Sequence, residues 1–209
     1  MTFDRLGSAH PGCARRHVVR DETIFRQGDP ARGWYEVVEG MARVCQFRSD
    51  GRRQVLAFAV PGDVIGLEHG RRDSCAEALT PMLLIHHRLD AGDADAELPW
   101  DRVVRHNHQC LMLIGLPTAI ERVAAFILSM GQRLGGLAVF ELPLSRADIA
   151  DHLGLTMHTV SRMICDLARR GVLRVEAHHH FQLTDPLGLA AIAGIDGWEL
   201  GSDDRQLVA

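Results

Sequence analysis

Over residues 18–89 the apolar positions come in short runs, several of them alternating with polar ones. The runs fall at 23–25, 34–38, 42–47, 54–59, 63–65 and 82–85. Turn formers separate them: Gln27-Gly28-Asp29-Pro30, Glu39-Gly40, Ser49-Asp50-Gly51 and Pro61-Gly62-Asp63. Such spacing predicts strands, and Asp50-Gly51 between two alternating runs predicts a hairpin. Many short strands with glycine-rich turns imply an antiparallel sandwich or barrel. Residues 1–20 lack the pattern and read as a loose arm.

The period changes near Asp90. A polar connector, residues 91–97, leads to Pro99, which opens a helix reaching about Ile114. Its apolar positions include Val103, Val104, Leu111 and Ile114. A helix joining two domains either sinks into the fold or pairs with a second subunit. These four left-over positions favour the homodimer. Pro117 interrupts, and a second helix carries Ile120, Val123, Ala124, Ile127, Leu128 and Met130 on one side before Gly135-Gly136.

Residues 144–193 are the most informative stretch. Ser145, with Asp148 three positions on, begins a short helix in the manner of a capping box. Ile149, Ala150 and Leu153 form its inward side, and Gly154 suits a left-handed C-cap. Thr156 caps a second helix whose Val160, Ile164 and Leu167 recur at i, i+4 and i+7. Two short helices crossing at a tight turn need a small residue, a turn glycine and a branched apolar lock; Ala150, Gly154 and Val160 supply them. The outward residues of the second helix are His158, Thr159, Ser161, Arg162 and Cys165, with Arg169 beyond. His, Ser and Arg side chains bond base edges and phosphates. Arg146, Arg169, Arg170 and Arg174 offer a local positive field, and a hairpin across 172–184 with a His178–His180 tip reads as a wing touching phosphate. Asp185-Pro186 opens a last short helix.

A β-roll, a connecting helix and a winged helix-turn-helix together resemble the bacterial cyclic-AMP-receptor/FNR superfamily of transcription regulators. The matching pieces are Gly62-Asp63-Val64-Ile65-Gly66-Leu67-Glu68, the run from Thr118 to Phe126, and Leu144 to Thr156 leading into Thr159-Val160-Ser161-Arg162. Ala-Ile-Glu-Arg-Val-Ala and the Ser-Arg pair are most similar to the FNR/FixK branch. That branch has Glu where this chain has His158, a departure resembling nitric-oxide-responsive members. The resemblance implies an α+β fold: an arm over 1–20, a cyclic-nucleotide-binding-like jelly roll over 21–97, dimerisation and linker helices over 98–136, a winged helix-turn-helix over 137–194 and a flexible tail over 195–209. It implies a homodimeric activator on an inverted TTG…CAA site, working with RNA polymerase in oxygen-limited or nitrogen-oxide metabolism. Thr156, His158, Thr159, Ser161, Arg162, Arg146, Cys165 and Arg169 would face DNA, with Arg162 on a guanine.

Composition narrows this further. The net charge of −4 excludes a uniformly basic surface, and all 23 Lys+Arg positions are Arg. No apolar run approaches the roughly 18 residues that cross a bilayer, and the N-terminus carries no signal-like apolar segment, so a cytoplasmic protein is expected. The five cysteines, Cys13, Cys45, Cys75, Cys110 and Cys165, include no CxxC pair and read as reduced thiols. Cyclic-AMP binders of the superfamily carry an acid for the ribose and an Arg-Ser pair for the phosphate. Here Leu67 stands at the acid's place, and Asp73 lies within Arg71-Arg72-Asp73-Ser74, so no cyclic AMP is expected. FNR's cluster uses several N-terminal cysteines, and this arm has only Cys13. No cofactor is expected. Haem on His106 or His108 is the alternative, in a haem- or nitric-oxide-sensing regulator of the same fold. A cupin-like metal protein would want His-x-His on a strand, but His106-Asn107-His108 falls on the helix, so neither an enzyme nor a ligand-only regulatory protein is favoured. Cys165 is a candidate redox thiol on the DNA-facing side.

Overall fold

The computed structural model describes residues 13–88, 99–136, 138–176 and 179–195. The chain divides into two compact units between His106 and Asn107.

The first unit holds eight described strands: β1 Cys13–Val18, β2 Thr23–Phe25, β3 Gly33–Glu39, β4 Ala42–Phe47, β5 Arg53–Ala59, β6 Val64–Ile65, β7 Cys75–Ala78 and β8 Met82–Arg88. They form two antiparallel sheets, ordered β1-β8-β3-β6 and β2-β7-β4-β5. Both contribute to one core, with Val18, Val37 and Leu84 from one and Ile24, Ala42 and Ala76 from the other. The Asp50-Gly51 turn joins β4 to β5, with Gly51 at φ 80°.

Two strands of the first unit lie outside the sequence expectation. The arm expected over 1–20 gives way to β1, which pairs with β8 from Cys13↔His87 to Val18↔Met82. It is a sheet-edge strand of polar residues in which only Val18 is buried, so it carries no two-residue hydrophobic signal. β7 reads Cys-Ala-Glu-Ala, small residues at the centre of a sheet. The rest of the expected arm, the 91–97 connector, the His178 part of the wing tip and residues 196–209 of the expected tail lie outside the described residues.

Helix α1, Trp100–Gly115, spans the division between the units. The second unit continues with α2 Ala119–Arg133, β9 Val139–Glu141, α3 Arg146–Leu153, α4 Met157–Arg169, β10 Leu173–Glu176, β11 His180–Leu183 and α5 Pro186–Ile192. A capping box starts α2: Glu121 N–H donates to Thr118 Oγ1, and Thr118 N–H donates to Glu121 Oε2. Every residue from Val123 to Gly131 is buried, and α2 packs against α4 and α5. Within the expected 98–136 stretch, α2 is a core helix of the second unit, and α1 spans the division between the units. The wing gains a strand, because β9 pairs with β11 beside the β10–β11 hairpin. Phe140 and Phe181 stack across that pair at 5.7 Å.

Candidate nucleic-acid interface

The turn between α3 and α4 is built as its residue types dictate. Asp148 N–H donates to Ser145 Oγ at 3.0 Å, and Ser145 Oγ donates in turn to the buried Asp148 carboxylate at 2.6 Å. Gly154 closes α3 at φ 66°, ψ 37°, a left-handed conformation that residues with a Cβ resist. Thr156 caps α4 by accepting from Thr159 N–H at 3.2 Å, and the two threonine hydroxyls lie 2.9 Å apart. Ile149, Ala150, Leu153, Val160, Ile164 and Leu167 are all buried.

With that stripe fixed inward, α4 presents His158, Ser161, Arg162, Cys165 and Arg169 to solvent, and Thr159 half so. Arg169 is engaged with Asp166 at 3.3 Å, as is Arg170 at 3.0 Å. Arg146 differs from the expectation of an outstretched cation. It is half-buried, its guanidinium 5.5 Å from the Phe181 ring centre. Burial lowers its pKa, and the nearby Cys165 thiol opposes that shift. A cation near Cys165 is thus Arg146, drawn from the preceding helix.

Sequence reasoning missed two positioning residues. Arg122 on α2 donates to the Leu116 carbonyl at 2.7 Å and to the Leu153 carbonyl at 3.3 Å, tying the end of α3 to the turn before α2. His152 is buried with its ring 5.6 Å from that of Phe126. The polar Arg122 among apolar neighbours was the signal for the first; its acceptors are tertiary and leave no local trace.

On α1 the four expected seam residues lie on one side. At about 100° per residue, Val103, Val104, Leu111 and Ile114 fall within an arc of about 100°. Val104 is 46% exposed, Leu111 66% and Ile114 39%, whereas Leu113, on another side, is buried.

In the β-roll, Arg72 is 4% exposed. Its guanidinium donates to the Gly66 and Gly33 carbonyls and lies 4.5 Å from the Phe25 ring centre. Glu68 Oε2 stands 3.5 Å from Arg72 Nη1, and Ser74 Oγ donates to Glu68 Oε1 at 3.0 Å. His86 and His87 point to opposite faces of β8, one stacked on Tyr35 and the other on Trp34. Among the described residues no three His, Cys, Asp or Glu side chains gather as a metal site, and none of their helices is long and apolar enough to cross a membrane.

Comparison with known proteins agrees with both units. Residues 121–192 match the Crp-like helix-turn-helix domain, and residues 15–91 match the cyclic nucleotide-binding domain. The chain is 34% identical to the nitrogen fixation regulation protein FixK of Bradyrhizobium diazoefficiens, over 91% of this chain and 84% of that protein. It is 37% identical to the protein of that name from Rhizobium meliloti, over 81% and 82%. The chain belongs to the Crp/FNR family, in its FixK/FNR branch. Among solved structures, FixK2 from Bradyrhizobium japonicum superposes with a TM-score of 0.75 at 35% identity, covering 86% of this chain and 96% of that one.

This family consists of DNA-binding transcription regulators, and α3 and α4 are its helix-turn-helix. The β-roll keeps the family's nucleotide-binding architecture. Within it the buried Arg72 meets a carboxylate and two carbonyls, and Leu67 is buried.

Proposed function

We propose that this Crp/FNR-family regulator acts as a homodimeric activator on an inverted TTG…CAA-type site and recruits RNA polymerase without needing cyclic AMP. The observation that carries the reading is the outward face of α4. His158, Ser161 and Arg162 are exposed within two turns of the Thr156 cap, above a fully buried stripe. Arg162 pairs with guanine O6 and N7, which a planar guanidinium fork meets with two bonds. His158 and Ser161 read neighbouring bases, Thr156, Thr159 and Arg169 meet backbone phosphate, and the half-buried Arg146 adds positive potential from behind them. Two such helices, joined through the Val103, Val104, Leu111 and Ile114 side of α1, read the two halves of the repeat. The FixK relatives are named for nitrogen fixation regulation, which supports a regulatory role; the proposed setting is oxygen-limited or nitrogen-oxide metabolism in the cytoplasm.

Binding-site selection on wild type, Arg162→Ala and His158→Glu tests this. Arg162→Ala should cost about 1–3 kcal/mol and relax selection at one guanine. His158→Glu should shift preference at an adjacent position, since a carboxylate accepts from cytosine N4. Uniform weakening with unchanged preference in both would assign these residues to phosphate only.

Cys165 belongs to the same proposal. Oxidised to a sulfenic or sulfonic acid, it would set bulk or negative charge against the DNA backbone. Peroxide treatment should weaken operator binding by wild type and spare Cys165→Ser. Equal loss in both would remove Cys165 from the interface chemistry.

A further inference from the structure

The outward face of the β1-β8-β3 sheet carries a cluster unconnected with DNA reading. Cys13, His87 and Trp34 stand side by side on three adjacent strands, in the register Cys13↔His87↔Trp34. Cys13 is exposed, and its Sγ lies 3.2 Å from His87 Nδ1, at hydrogen-bonding distance. The imidazole is held flat against Trp34, ring centres 3.8 Å apart and planes 3° from parallel. On its other side, His87 Nε2 faces Glu36 Oε2 at 3.7 Å. Glu36 is also bonded by Arg102 at the start of α1, at 3.0 Å.

Thiol, imidazole and carboxylate therefore stand in series. The carboxylate favours the tautomer with hydrogen on Nε2, which leaves Nδ1 to take the thiol proton. The aromatic wall fixes the ring so that this geometry is kept. A side-chain triad on three strands, with its thiol open to solvent, is the arrangement of an activated nucleophile.

We propose that Cys13, His87 and Glu36 form a reactive-thiol site in the β-roll that takes a hydroperoxide. The Cys13 proton moves to His87 Nδ1, and the thiolate attacks the terminal peroxide oxygen. The O–O bond breaks as the S–O bond forms. The departing hydroxide or alkoxide takes the proton from His87 and leaves as water or alcohol. Sulfur is oxidised by two electrons to a sulfenic acid, and the peroxide is reduced. A small thiol then attacks the sulfenic sulfur, expelling water and leaving a mixed disulfide on Cys13. The other two thiols of the β-roll, Cys45 and Cys75, are buried on the opposite sheet and do not compete.

The test is the rate of Cys13 sulfenylation by hydrogen peroxide in the full chain. Dimedone traps the product, and mass spectrometry reads each cysteine peptide separately. In wild type, Cys13 should react at least tenfold faster than free glutathione at the same pH. His87→Gln and Glu36→Gln should each slow Cys13 about tenfold while leaving Cys165 unchanged. Cys45 should stay unlabelled in both variants, which reports that the β-roll is folded. A wild-type Cys13 no faster than glutathione overturns the proposal without any variant. So does a His87→Gln protein with Cys45 protected and Cys13 at the wild-type rate. Neither result touches the DNA reading, which is tested on α4.

Discussion

At the scale of single residues, two glycines with nearly the same backbone angle should behave differently. Gly154 has φ 66° and open space where a Cβ would stand, so Gly154→Ala should cost about 1–2 kcal/mol of backbone strain alone. Gly66 has φ 71°, and a Cβ there would sit 2.6 Å from Arg72 Nη1 and 3.0 Å from the Phe25 ring. Gly66→Ala adds that clash to the same strain and displaces a buried guanidinium from its acceptors. Urea denaturation should rank it the more damaging of the two, and the reverse order would mean that Arg72 moves aside freely. His86 supplies a pH test. Burial, with the Arg72 charge next, holds its pKa below 6.5. The unfolded chain therefore takes up this proton first as pH falls. The contribution of His86 to stability is complete above about pH 6.5 and declines below it. Denaturant midpoints between roughly pH 7.5 and 5.5 should fall more steeply for wild type than for His86→Gln; parallel curves would show that the shift does not exist.

At the scale of elements, α1 exposes its apolar side and so carries the clearest prediction. Leu111→Glu sets a charge at the centre of the proposed seam, and burying it unpaired would cost several kcal/mol. Sedimentation should show a monomer. An unchanged dimer would place the contact on another element. Elements also differ in how far the sequence disclosed them. The α3–α4 pair was legible because its requirements are local: a cap at Ser145, a left-handed Gly154, a cap at Thr156 and a stripe at Val160, Ile164 and Leu167. β1 was not, since an edge strand with one buried residue obtains its conformation from its partner β8 rather than from its own pattern. The extent of α2 was legible, but its allegiance was not, because nine consecutive buried residues show that it is enclosed and not by what. The same limit hid Arg146 beside Cys165 and Cys13 beside His87. The latter pair lies 74 positions apart in the chain and meets only through sheet register.

At the scale of the whole molecule, the buried thiols of β4 and β7 report on the integrity of the β-roll. Burial pushes Cys45 up to about 12, with the Cys75 thiol opposite adding to the shift, and burial raises Cys75 as well. At neutral pH neither should react with iodoacetamide until the first unit opens. Their labelling should follow the denaturant unfolding curve while exposed Cys165 labels throughout; early labelling of Cys45 would mean that the sheet opens locally. Calorimetry with cyclic AMP should be flat, and saturable heat at micromolar concentration would overturn the reading of the Arg72 site. That site has a consequence for how information could reach this protein. The carboxylate facing Arg72 and Ser74 is Glu68, a covalent part of the same turn, so its local concentration is fixed by the chain and cannot be diluted away. A diffusing anion would compete against a tethered rival that is always present. On the proposed cyclic-AMP-independent reading, the chain itself supplies the anion that Arg72 meets. Control of operator occupancy then falls, on the same proposed reading, to the amount of the chain and to the oxidation state of Cys165.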